Sequence, residues 1–299
     1  MAEQTMDAFA TLASGVYLEG LAVDHQRDVI WYSDVIAGGI HGVTPDGAPV
    51  ASFDEERMWT GGVMINHDGA VLSSGQGGVR WNDPATGRSG WLLESLDGQP
   101  INGINEMVPD GTGGMFFGTN DIENVIAGQT TRPTEIWRLT ANRETIKIAG
   151  GIGFTNGMAF DTQRRRLYCN DTFHGTWSFD VSDDLTLGEK RLFLEKEDAD
   201  GMALDEDGNV WVTGFRSSFL TRLAPGGTLL EPYPTPAGSI TQLRFGGTDG
   251  RDLYFNSVPA DGGDTLKEGG EMIGRNSFLF RGRSSAPGLR INPTRFDLV

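Results

Sequence analysis

Asn156-Gly157-Met158-Ala159-Phe160-Asp161, a turn, Arg166-Leu167-Tyr168-Cys169-Asn170-Asp171, and then Gly175-Thr176-Trp177-Ser178-Phe179 form the stretch that decides the fold. Apolar residues alternate with period two along each run, which is the spacing of strands packed between neighbours. The pattern recurs on both sides. Upstream it reads Glu19-Gly20-Leu21-Ala22-Val23-Asp24, Val29-Ile30-Trp31-Tyr32-Ser33-Asp34, Gly39-Ile40-His41-Gly42-Val43, and again from Gly62 and from Asn105. Downstream it reads Asp200-Gly201-Met202-Ala203-Leu204-Asp205 with Val210-Trp211-Val212-Thr213, and again from Thr241. Taking Glu19, Gly62, Asn105, Asn156, Asp200 and Thr241 as equivalent points, the steps are 43, 43, 51, 44 and 41 residues. Propeller blades repeat at about 40–50 residues. An all-β, six-bladed β-propeller spanning residues 1–299 as one domain is therefore expected. The fourth strand of each unit is weakly marked, and Phe9-Ala10-Thr11-Leu12 is a candidate to join the last unit.

Composition agrees. The 43 Gly suit many tight turns, and seven Trp, sixteen Phe and five Tyr supply bulk for packing between sheets. A net charge of −17 argues against nucleic acid or an anionic membrane surface as partner. The single cysteine, Cys169, cannot form an internal disulfide and reads as a small buried filler. The acidic start Met1-Ala2-Glu3-Gln4 lacks the features of a signal peptide, and no run approaches the ~18 apolar residues of a membrane span. A cytoplasmic location is the expectation, and the oligomeric state is left open.

The first strand of each propeller blade lines the central channel, so residues that open those strands converge. Here they include Glu19, Asn105, Asn156 and Asp200. Two carboxylates balance a divalent charge and two amides add neutral oxygens. Oxygen donors without His or Cys favour calcium or another hard cation over structural zinc. Taken singly, Asn156-Gly157 and Asp200-Gly201 are ordinary turn signals and Glu19 an ordinary surface charge. The metal reading rests on their shared register.

The chain resembles the SMP-30/gluconolactonase/luciferin-regenerating-enzyme group, related to diisopropyl fluorophosphatase. The resemblance lies in Leu18-Glu19-Gly20-Leu21, Asn105-Glu106, Thr155-Asn156-Gly157-Met158-Ala159-Phe160, Asp200-Gly201-Met202-Ala203-Leu204-Asp205 and Leu243-Arg244-Phe245-Gly246-Gly247, in the family's order. It implies Glu19, Asn156 and Asp200 as metal ligands, with Asn105 as a fourth ligand or a contact to substrate and water. It implies metal-dependent hydrolysis of a small-molecule lactone, with calcium, zinc, manganese or iron as the divalent cation and Asp200 as general base or water-orienting group. Gly103 stands where sugar-lactone members often carry Arg, and Glu106 where they carry Asp, so the resemblance points to a lactone less polar than a sugar lactone. Trp59, Phe154 and Phe173 flank the strand openings as an apolar rim, and His174 is a candidate proton carrier. Asn105, Glu106, Trp59, Phe173 and His174 form the expected substrate-binding set. Phosphotriester hydrolysis in the same pocket and a non-catalytic calcium-binding propeller are the alternatives. A non-metal propeller of the strictosidine-synthase type is disfavoured by the ligand set.

Overall fold

A computed structural model of the chain describes residues 8–172, 174–267, 271–272 and 274–298. Phe173 lies outside the described residues. The protein is all-β and propeller-like. Its only described α-helices are the short Ile122–Ile126 and Gly262–Lys267 segments, and no described helix is long and apolar enough to cross a membrane.

Four separate four-stranded antiparallel sheets begin with the strands Leu18–Asp24, Thr60–Ile65, Gly103–Pro109 and Thr155–Asp161. Ser95–Leu96 and Gln99–Pro100 pair as a small two-stranded sheet, and the other eight strands form two further four-strand runs, beginning with Ala199–Leu204 and Ile240–Gly246. These count as one sheet because Gly214 pairs with Ile240. The six first strands pack side by side in a closed cycle, from Leu18–Asp24 round to Ile240–Gly246 and back. The last run is completed from the other end of the chain: Ala10–Gly15 pairs antiparallel with Ser277–Arg283, so Phe9–Leu12 contributes to the final sheet as anticipated. The weakly marked outer strands are present but stand at the rim with exposed and half-buried residues, as in Pro49–Phe53 and Arg191–Glu195. Without a second packed face they carry no clean alternation.

Two of the first strands end in an Asp that caps the hairpin turn. Asp24 Oδ1 accepts from the N–H groups of Gln26 (3.0 Å) and Arg27 (3.1 Å), and Asp161 Oδ1 does the same for Gln163 (3.0 Å) and Arg164 (2.8 Å). Between consecutive sheets lie six apolar clusters. One joins Met158, Leu167, Cys169 and Phe179 to Phe116 and Ile136 of the preceding sheet. Cys169 is fully buried there, and burial pushes its thiol pKa up, so it acts as packing.

Polar side chains on the second strands also bind neighbouring sheets together. Ser33 Oγ donates to Gly61 O (2.8 Å), Ser74 Oγ to Asn105 O (2.6 Å), Asn170 Nδ2 to Asp200 O (2.6 Å), Thr213 Oγ1 to Thr241 O (2.9 Å) and Asn256 Nδ2 to Glu19 O (2.9 Å). Thr213 Oγ1 also accepts from Gly201 N–H at 2.7 Å. Removing that hydroxyl without changing shape leaves a buried donor and acceptor unpaired. Thr213→Val is expected to cost about 1–3 kcal/mol, read as a lower urea midpoint with an unchanged m-value.

Candidate functional site

The ladder between first and second strands is irregular at one end of all six units. Register shifts fall between Leu18 and Leu21, Thr60 and Val63, Ile104 and Met107, Thr155 and Met158, Ala199 and Met202, and Ile240 and Gln242. Glu19, Asn105, Asn156 and Asp200 sit inside these bulges. A bulge takes a residue out of the ladder and re-aims its side chain. Asn156-Gly157 and Asp200-Gly201, which alone would signal turns, are therefore within strands. The glycines allow close approach. A Cβ on Gly157 would stand 2.3 Å from Asp200 O, and one on Gly201 2.4 Å from Thr241 O.

All four oxygen-bearing side chains line one cavity of about 370 Å³. Asn156 and Asp200 are buried and Glu19 half-buried. The Glu19 and Asp200 carboxyl groups lie close enough in the cavity for each to act on the other's proton affinity. Burial raises the Glu19 pKa to about 8, the Glu106 charge adds to the rise, and the Asp200 contact opposes it. Burial raises Asp200 well above the carboxylate range, and the Glu19 charge pushes it further. Burial and then the charges of Glu19 and Asp200 likewise raise the Tyr17 phenol. Glu19 Oε2 and Asp200 Oδ1 are buried without a hydrogen-bond donor. Two carboxylates with orphaned oxygens beside two amides fit a hard divalent cation. Among the described residues no three or more His, Cys, Asp or Glu side chains gather as a metal cluster, so half of this donor set is amide.

The other expected residues divide. Trp59 and Phe154 line the cavity with Asn105. Trp59 is held in the left-handed backbone region at φ 56°, a strained state for a bulky residue that points to a functional constraint. Phe154 is seated by Asp171, whose Oδ1 accepts its N–H at 2.9 Å, and Tyr17 by Asp34 in the same way at 3.1 Å. Glu106 is not among the lining residues. Its carboxylate is buried in the channel, accepting from Met107 N–H (2.9 Å), Arg244 Nη2 (3.2 Å) and the Gln242 amide. His174 is also absent from the lining. Its side chain is mostly exposed and rests on Asp171, Nδ1 to Oδ1 3.3 Å. The expected contact Phe173 lies outside the described residues.

Tyr17, Asn120 and Thr172 are polar lining residues that were not anticipated. Tyr17 precedes Glu19 by two and shares its side of the chain, a signal that alternation carries. Asn120 and Thr172 come from the ends of second strands and from the loop beyond, where the repeat marks nothing. Thr172 Oγ1 accepts from Asn156 Nδ2 at 3.2 Å and so orients that amide.

A family model described as "SMP-30/Gluconolactonase/LRE-like region" matches residues 18–258. The chain is 27% identical to the pentonolactonase XacC of Haloferax volcanii over 254 residues, covering 82% of each. It is 26% identical to the 6-deoxy-6-sulfogluconolactonase of Pseudomonas putida over 240 residues, covering 78% of this chain and 80% of the relative. The solved structure of a luciferin-regenerating enzyme superposes with a TM-score of 0.81 at 17% identity, covering 96% of this chain and 99% of that one.

The raised carboxyl groups have a consequence for stability. A carboxyl whose pKa rises on folding holds its proton more tightly in the folded chain than in the unfolded one. Stability therefore falls as pH climbs from about 4.5 to about 8. The melting temperature of chelated protein should drop across that window. Calorimetric melts at several pH values, with Glu19→Gln alongside, read this. An equally steep fall in the variant would locate the effect elsewhere.

Proposed function

The chain belongs to the SMP-30/gluconolactonase/LRE-like family, and on that premise we propose that it hydrolyses a lactone in the cavity of Glu19, Asn105, Asn156 and Asp200, with one divalent cation held by them. The observation that carries the reading is the buried pair Glu19 and Asp200, whose orphaned oxygens meet in one cavity beside two amides. The lactonase relatives supply the reaction class. We read the fold as six blades, taking the eight-stranded sheet as two blades that touch through Gly214 and Ile240. Calcium stands first among the cations because every donor is a hard oxygen.

When bound, the cation would supply Lewis-acid polarisation of the lactone carbonyl. The residues do the rest. Asp200 orients the attacking water and accepts its proton. Its orphaned Oδ1 is free for that role or for the cation, and ligation would make it a weaker base. Asn156 is held against Thr172 and keeps a fixed amide facing the carboxylates. Asn105 contacts the substrate or completes the donor set, and Trp59 packs on the ring. Water adds to the carbonyl carbon, the ring C–O bond breaks, and the proton ends on the departing alkoxide to give a hydroxy acid. Glu106 and His174 are left out of the substrate contacts, the first because Arg244 and Gln242 occupy its carboxylate, the second because it stands outside the cavity.

A lactone panel assayed after exhaustive chelation and re-addition of calcium, zinc, manganese and iron in turn tests the reading. Chelation should abolish turnover, and calcium should restore it. Asp200→Asn and Glu19→Gln should each lower kcat by about 10²–10⁴-fold. Turnover surviving chelation, or undiminished in Asp200→Asn, would refute the assignment. Cation-dependent melting without hydrolysis of any lactone would mark a binding protein instead, and an aryl phosphotriester in the panel checks the other hydrolase reading.

A further inference from the structure

Floor and wall of the cavity differ in chemistry. The carboxylates and amides lie at the floor. The wall carries Trp59, Ile104, Ile122, Val125, Phe154 and Leu266. Among the described residues no Lys, Arg or His lines it. Two of its buried hydroxyls are engaged: Thr60 Oγ1 donates to Asp34 O at 3.1 Å, and Thr172 Oγ1 donates to Ala199 O at 3.2 Å while accepting from Asn156; the Tyr17 phenol belongs with Glu19 and Asp200, whose charges act on it. Asn120 Oδ1 is a buried lining atom without a donor and so offers an acceptor. Gln129 and Thr130 are exposed at the mouth.

Much of this wall comes from outside the strand repeat. The longest step, 51 residues between Asn105 and Asn156, contains the Ile122–Ile126 helix. The last unit contains the Gly262–Lys267 helix, and the two helices touch. Gly263 lies so close to Phe215 that an added Cβ would stand 2.7 Å from its ring, which seats the second helix over the cavity edge. Together the helices supply Ile122, Val125 and Leu266 to one side of the mouth. The cavity volume of about 370 Å³ falls in the range of small-molecule pockets.

We propose, resting on the lactonase reading above, that the preferred substrate is a lactone whose ring carries an apolar alkyl chain, and not a polyhydroxylated sugar lactone. Each sugar hydroxyl laid against the side formed by Ile122, Val125 and Leu266 would lose water without gaining a partner there. Each methylene laid on it is removed from water at a gain. Gly103 fits the same view, since it places no cationic donor beside Asn105.

Steady-state kinetics of the calcium-loaded full chain on gluconolactone, γ-butyrolactone, γ-hexalactone and γ-decalactone test the inference. Expected is a rise in kcat/KM of about fourfold per methylene until the cavity is full, with the long-chain lactone passing gluconolactone by at least about tenfold. Ile122→Ser and Leu266→Ser should each flatten the rise. A flat alkyl series, or preference for gluconolactone, overturns the substrate class and leaves lactone hydrolysis standing. Turnover of none of them sinks the reaction itself. Alkylcyclopentanones, which keep ring and chain but cannot be opened, then decide the pocket's chemistry. Their upward shift of the melting temperature should grow with chain length, and a shift independent of chain length overturns the inference.

Discussion

Adjacent sheets are locked at the point where the chain is least regular. At each bulge the backbone leaves the hairpin ladder, and its freed groups would be buried without partners. A polar side chain from the preceding sheet takes one of them: Asn170 holds Asp200 O, Asn256 holds Glu19 O, and Ser74 holds Asn105 O. One bond thus repairs the bulge, fixes a cavity-lining residue and joins two sheets. The junction before Asn156 differs. The second strand there carries Gly118, and the bond runs the other way, with Thr155 Oγ1 donating to Thr119 O. Since the ends of the cycle meet through Asn256 and through the pairing of Ala10–Gly15 with Ser277–Arg283, no functional position is set by its own sheet alone.

This locking lets the protein hold charges where folding alone disfavours them. Glu19 and Asp200 are pressed together in a buried setting, and the pair keeps a proton well past the ordinary carboxylate range. Glu106 adds a third negative group nearby, but its own charge is answered by Arg244, reaching across from the Ile240–Gly246 strand. Arg244 Nη1 also donates to Met202 O at 3.0 Å and Gln242 Oε1 at 2.7 Å, so the network is hydrogen-bonded throughout. A buried ion pair contributes little net stability, yet losing either partner would leave a stranded charge. Arg244 faces a smaller cavity on the other side of the channel, lined also by Met158 and Phe160.

Much of the fold was legible in the sequence. Alternation and the step of 41 to 51 residues marked the strands, their grouping and the closing N-terminal run, because each depends on residues close in the chain or on plain repetition. The candidate site was legible in part. Glu19, Asn105, Asn156 and Asp200 share a register, and equal register in a ring means equal depth in the channel. Glu106 and His174 misled for opposite reasons. A side chain next to a site residue in sequence points elsewhere when a bulge turns the strand, and a loop histidine beside a first-strand position need not enter the cavity.

By itself the sequence determined the repeat, the strand type and the chemistry available at each opening, since these follow from local periodicity and composition. Only the tertiary structure decided that Asn156-Gly157 and Asp200-Gly201 are bulges and not turns, that Glu19 and Asp200 meet in one buried cavity, and that two short helices make one side of the mouth apolar. Those outcomes depend on what lies across a sheet boundary or across the ring. The groups that meet there are tens to hundreds of residues apart in the chain, as with Asn256 and Glu19, so their contact is created by closure and by no local pattern.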